Sequence, residues 1–354
     1  GGFSGAKVEL VTTPGSNIGS RNFSISETMN AAARSPGSAT TASGGASGYL
    51  VLDRVLFSSS AELSRTSSPF ATFDARDAGG AGRIVIARNT QAALADGLSR
   101  FGISGLGRSE HATTDGLATL NRVDFVSDSN HSIAVIGRLA MDATSPYGSS
   151  PASIGRLFGD QSSTDVSLSL QRTAISRHFA QETSLSFSSR TIQLTPSLAV
   201  PMLQISVPGD LNGINTAQNV LTGSLGSGAS ASRNVNVNGQ HIVRWVSPDG
   251  HHRSDAGLSF RVSRDARDPR GNELGFLSFD SIDEFAAGMA SGYSRVVNPA
   301  RSSANVVTAS GFVGDQWVVC PHFSVQGGAR LDLNQLPIAG QHADDATQTR
   351  LAAT

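Results

Sequence analysis

The chain has 354 residues, of which 38% are hydrophobic and 16% charged, with 38 glycines and a formal net charge of −1. Apolar content below the ~45–50% of ordinary globular chains fits a Leu-rich α/β enzyme poorly, and the absence of a Lys/Arg block removes the electrostatic case for nucleic acid. Cys320 is the sole cysteine, so an intrachain disulfide and a thiolate metal cluster are excluded, and no run of 18 apolar residues offers a transmembrane helix.

In chain order the signals are almost all β. Residues 6–12 alternate and stop at Pro14-Gly15, residues 22–28 alternate through Phe23 and Ile25, and residues 49–57 form a stronger apolar run. Leu94, Leu98 and Phe101 recur at helical spacing within residues 90–101, the clearest predicted helix. Residues 117–126 and 132–141 flank a turn cluster at 127–130. Short alternations follow at 166–171, 185–187, 192–194 and 235–237. Residues 242–246 and 258–262 then flank Pro248-Asp249-Gly250, a turn sequence. A second short helix is predicted over 281–289. Polar stretches at 35–47, 74–82, 145–163, 208–232 and 264–272 read as long loops.

The last long segment is the most regular. Phe323, Val325, Gly327, Ala329, Leu331 and Leu333 point one way; Ser324, Gln326, Gly328, Arg330, Asp332 and Asn334 point the other. Soluble strands are usually about half that length. With residues 311–319 and a turn at 320–322 it makes a long hairpin, suited to lipid on one face and a wet lumen on the other. Trp317 then belongs at the membrane interface near the short turn. Short turns alternating with long loops are the asymmetry of outer-membrane barrels.

Residues 314–332, which run acidic-polar-Trp317, a turn with Pro321, a strand, then Gly328-Ala329-Arg330 and Asp332, resemble a hairpin of TonB-dependent outer-membrane receptors. Residues 4–17 are similar to the end of the plug domain in the Oar-like branch of that family (receptors with a carboxypeptidase-regulatory-like domain), where the chain enters the barrel. Residues 276–288 resemble an aromatic, Asp-Phe and Gly loop element of these receptors, and 248–257 the hairpin before it. The resemblance implies an all-β, antiparallel transmembrane β-barrel, partial and not closed, with long extracellular loops. It implies a fragment, with 1–17 as the C-terminal end of the plug and 18–354 as the N-terminal part of the barrel, about ten strands. It further implies outer-membrane lipid as surroundings, the TonB complex as a partner through a missing N-terminal region, and uptake of an unknown small-molecule or peptide ligand without catalysis. The alternative is a secreted or surface β-sandwich or β-solenoid adhesin or binding protein.

No site residue is assigned: catalytic, cofactor-binding and metal residues are none, no cofactor is expected, and ligand residues are unknown. His251-His252, with His241 and His322, lack ligand spacing and read as solvated turn residues. Residues 210–215 lack the later acidic ligand of a calcium loop. Residues 102–107 are glycine-rich but follow a helix, so they are no dinucleotide fingerprint. Asp283-Glu284 reads as a solvated loop face. Arg330 and Asp332 share the lumen side and pair structurally.

Overall fold

The computed structural model describes residues 14–29, 37–69, 84–86, 88–103, 111–128, 130–145, 157–196, 198–211, 214–224, 230–269, 273–297, 301–320, 322–335 and 349–353. The predicted strand at 6–12 and the loop at 74–82 lie outside these residues.

A wall of antiparallel strands runs in chain order: β1 (Ser20–Met29), β2 (Ser38–Val51), β3 (Val55–Pro69), then β5 (His111–Asp128), β6 (His131–Ser145), β7 (Leu157–Ile175) and β8 (Phe179–Pro196), with β4 (Ile84–Ile86) set apart in the connection after β3. It continues through β11 (Ser230–Val246), β12 (His252–Pro269), β15 (Ser302–Cys320), β16 (Phe323–Gln335) and β17 (Thr349–Ala353). These twelve strands form an open sheet: among the described residues β1 and β17 each have one wall neighbour.

Directly paired residues share a face, so the register carries one alternation across the whole wall. Leu185, Gly239, Phe260, Ala309 and Leu333 form one row of the apolar face, and Thr183, His241, Leu258, Gly311 and Leu331 the next. Its large residues are bare: Phe23 is 74%, Leu258 68% and Val313 57% exposed. On β16 the apolar residues run from Phe323 to Leu333, which at a barrel tilt spans about 25 Å, the height of a hydrocarbon band. The opposite face is polar, with Ser186, Asn238, Arg261, Thr308 and Asn334 in neighbouring strands.

Connections alternate in length. β2 and β3, β5 and β6, β7 and β8, β11 and β12, and β15 and β16 are joined by short connections at one end of the wall; β3 and β5, β8 and β11, and β12 and β15 are joined by long ones that leave from the other. The long ones build a second body. The strands β9 (Met202–Leu211) and β10 (Ile214–Ser224) form a hairpin; β13 (Phe276–Phe279) pairs parallel to β9, β4 antiparallel to its far end, and β14 (Gly292–Ser294) to β13. The helices α1 (Arg88–Ser99) and α2 (Ile282–Ala287) pack on it. A two-residue parallel contact between β10 and β7 joins this cap to the wall, giving 17 strands among the described residues.

Several expected loops are strand. Residues 35–47 contain most of β2, whose apolar-face positions Ala42, Gly44 and Ala46 are too small to register as a hydrophobic face. Phe23 of β1 covers Gly44 instead, a ring-over-glycine pairing that restores apolar contact. Residues 264–269 prolong β12, 157–163 begin β7, and 208–224 fold as β9 and β10. Pro208, which has no N–H to donate, sits between the stretches of β9 that pair with β13 and β4. The apolar run 49–57 is a hairpin turn rather than one strand: Asp53 adopts φ 58 and the Arg54 N–H donates to the Val51 carbonyl. The alternations at 185–187 and 192–194 are one strand, β8, with its polarity reversed above Phe187.

Candidate functional site: the polar face and the loop-built cap

The polar face is built from hydrogen-bonded side-chain pairs across strands. Ser20 and Ser47 hydroxyls lie 2.7 Å apart, Ser24 and Ser43 2.8 Å, Thr114 and Thr144 2.9 Å, and Ser259 and Ser310 2.7 Å. Charged residues are matched on the same face. Arg330 donates from Nε to both Asp332 oxygens at 2.9 Å, and Arg122 and Asp124 repeat this i,i+2 arrangement with the carboxylate buried. Arg244 reaches Glu182 at 3.0 Å, and Arg261 donates to the Asn238 side-chain oxygen at 2.9 Å. The exposed pairs among these add little stability; their effect is to cancel charge locally on a wall rich in donors and acceptors. A concavity of about 460 Å³ lies on this face among Asn238, Arg261, Ser310, Arg330, Asp332 and Asn334. Arg330 and Asp332 therefore sit as the alternation predicted, on the polar side and paired.

The cap contains the dense apolar core. Leu94 and Leu98 of α1, one turn apart, Leu203, Ile205 and Val207 of β9, Val220 of β10, Phe279 of β13 and Phe285 of α2 are all buried together. Phe279 and Phe285 meet edge to face at 5.0 Å between centroids, and Gly97 lets α1 approach the Phe285 ring. Local chemistry fixes both helices. The Arg100 guanidinium donates to the Ala286 carbonyl at 2.9 Å, tying the end of α1 to the end of α2. Ser281 caps α2 by accepting from the Glu284 N–H at 3.2 Å, while the Glu284 carboxylate accepts from the Asp280 N–H at 3.0 Å. Glu284 thus closes the helix start by holding the amide just before the N-cap, and is not a loop carboxylate facing only solvent. Gly288 ends the helix at φ 72.

The remaining singled-out residues have separate neighbours. His251 Nδ1 bonds the Val318 carbonyl at 2.7 Å; His252 Nδ1 bonds Asp315 at 2.8 Å and its ring stacks on Trp317 at 6.0 Å; His241 Nδ1 lies 2.8 Å from the Thr183 hydroxyl; His322 is exposed. Trp317 stands on the apolar face close to the short-turn end, with Trp245 on the same face of β11. Ser247 and the His251 amide donate to Asp249 in the turn between β11 and β12, and these bonds, the hydroxyl first, hold its carboxyl below the ordinary range. Positions 210–211 and 214–215 close the β9–β10 hairpin, with 212–213 outside the described residues. Gly102, at φ 69, terminates α1, and 104–107 are likewise outside them. Reading the chain alone missed the cap: residues 198–224 carry a Leu203–Ile205–Val207 alternation that would have revealed a strand, masked by the flanking prolines and glycines.

Known proteins share this architecture. The family model described as outer membrane beta barrel domain matches residues 60–349. No curated protein matches the chain. Among solved structures, the ferric enterobactin receptor of Pseudomonas aeruginosa superposes with a TM-score of 0.54 at 13% identity, over 91% of this chain and 40% of its own length. The siderophore receptor PirA of Acinetobacter baumannii superposes at 0.51 and 13% identity, over 96% and 40%, and the copper transporter OprC at 0.51 and 11%, over 97% and 42%. The chain thus spans about two fifths of the length of these solved proteins.

Proposed function

Because the chain belongs to the outer membrane beta barrel domain family, we propose that it forms part of the wall and extracellular cap of a TonB-dependent receptor that takes up a scarce ligand. Its seat is the outer membrane of a Gram-negative bacterium, and it is not an enzyme. The apolar face meets lipid, the polar face meets the lumen, and the end with long connections is extracellular. The family match replaces the adhesin alternative: the wall's bare face is a membrane face, with no second sheet packed upon it among the described residues.

The observation that carries the receptor reading is the breadth of the wall. Twelve strands lie side by side with both edges open, an arc for a wide barrel rather than a narrow pore. Strands of 18 and 19 residues are about twice what a membrane requires, so they lift the cap clear of it. The Oar-like resemblance adds a plug whose last residues are 1–17, with 18–354 as barrel. The chain's course at 15–17 supports that entry point: Gly15 is buried against Phe57, and Asn17 accepts from the Asp53 N–H at 3.0 Å in the short β2–β3 turn, at the periplasmic end. The ligand would meet the cap first and then the hydrogen-bonding lumen wall.

The test uses the full-length protein in outer membranes. Heat-modifiable, carbonate-resistant association together with binding of the periplasmic domain of TonB is the expected result. A properly inserted barrel that ignores TonB would keep the membrane assignment and sink the energised-uptake reading.

A further inference from the structure

On the lipid side of the wall, back to back with the lumen concavity, lies a dent of about 670 Å³. Its floor is Ala309, flanked by Phe260 lying over Gly239 and Leu258 lying over Gly311, and its sides are closed by Leu185, Leu331 and Leu333. The dent is almost wholly apolar; the two polar side chains facing outward at its margin, Thr183 and His241, hydrogen-bond each other. It lies toward the extracellular half of the band, since Val262, only two residues beyond Phe260, is the last apolar outward residue of β12 before Arg264.

Directly above it two cations face outward. Arg233 of β11 pairs with Ala266, so Arg264 is its diagonal neighbour on the same face, about 7–8 Å away at the Cβ level. Both are exposed and neither has an ion pair among the described residues. The outward carboxylate nearest along β12, Asp268, is engaged by Arg301 at 3.2 Å, which leaves the two arginines uncancelled. This contrasts with Arg65 of β3, whose charge is matched by its cross-strand partner Asp115 at 2.6 Å.

We propose that this part of the outer wall binds a phosphate-bearing lipid of the outer leaflet, its acyl chain in the dent over Ala309, beside Phe260, and its phosphate between Arg233 and Arg264. Three features select this occupant. The dent faces hydrocarbon, so an aliphatic chain is the available filler. The cations stand at headgroup level, one strand apart, where a phosphate can accept from both guanidinium groups. The extracellular end of the band places the site in the outer leaflet. The inference rests on the membrane barrel itself and not on coupling to TonB, so either can fail without the other.

The experiment is native mass spectrometry of the full-length protein in detergent, with bisphosphorylated lipid A as probe and phosphatidylcholine as the zwitterionic control. Wild type should retain one lipid A, and retain phosphatidylcholine more weakly. Arg233→Gln with Arg264→Gln should weaken lipid A retention by at least about tenfold, the loss of charge-assisted bonds to one phosphate, while heat-modifiable migration is unchanged. Ala309→Phe, which fills the dent without touching the cations, should lower retention of both lipids. Equal retention by the arginine double variant and wild type would overturn the proposal, as would a protein that covers this face by self-association and excludes lipid.

Discussion

The wall and the cap use the same apolar residues for opposite purposes. In the cap, Leu98, Leu203, Ile205 and Phe285 are buried against one another, and the burial of side chains of this size is worth about 1.5–3 kcal/mol each. In the wall, Leu258, Phe260 and Val313 stand on an exposed face, and Leu258 and Phe260 cover only the glycines of neighbouring strands. What holds the wall internally is its continuous ladder of backbone hydrogen bonds, and what completes it is hydrocarbon. Two bodies in one chain thus depend on two solvents. Perturbations should separate them.

The largest separation comes from the cap. Phe285→Ala removes the ring that joins α1, β13 and α2, at a cost of about 3–5 kcal/mol. The expected outcome is rapid proteolysis within 84–103 and 273–297 by external protease, with unchanged heat-modifiable migration. Loss of migration would show that the cap and wall are one cooperative unit. Leu258→Arg tests the other body, placing a cation at the middle of the lipid face at a cost of about 2–4 kcal/mol. Folding into phospholipid vesicles, followed by urea titration, should show a lowered midpoint while the cap keeps its protection. Gly97→Ala is a smaller change in the cap: its Cβ would come 2.3 Å from the Phe285 ring, and the repacking should cost about 1–3 kcal/mol. It should raise hydrogen exchange in α1 and leave that of β12 as it was.

The smallest effect is a pH effect confined to the short turns. Asp249 has its carboxyl depressed by the Ser247 hydroxyl and then the His251 amide. A depressed carboxylate contributes stability that is present above its unfolded value near 4 and lost as pH falls through the lower folded value. Amide exchange at His251 and His252 should therefore quicken in acid below about pH 4, with Asp249→Asn already quick at neutral pH and flat across the range. An acid response in the cap amides but not here would reverse the assignment.

The wall was legible in the sequence because its two environments are constant along it. An alternation such as Phe323 to Asn334 needs no knowledge of neighbours, and the helix at 90–101 followed from the spacing of Leu94 and Leu98, while the short helix expected over 281–289 carries a Ser281 cap that the reading of Glu284 as a loop carboxylate passed over. Strand ends were harder to read. Above the membrane band neither face of a strand meets lipid, so the pattern that marks Leu185 and Phe187 dissolves at Arg190 although the ladder continues to Pro196. The cap was invisible for a different reason. Its core is assembled from three segments that are each short and unremarkable alone, and only the pairing of β9 with β4 and β13 brings Leu98, Val207 and Phe279 together. The concavity at Arg330 required the register of five strands, which no single-strand pattern contains.

That three-part cap has a temporal consequence. Leu98 and its partners Phe279 and Phe285 are separated in the chain by six of the twelve wall strands, β5 to β8, β11 and β12, so the full core closes only when that half of the wall is in place. Contacts of such sequence separation form late and slowly. Closure of the cap core thus reports on the wall: a fully protected α1 marks the strands from β5 to β12 as paired, and an open core leaves Leu94 and Leu98 bare.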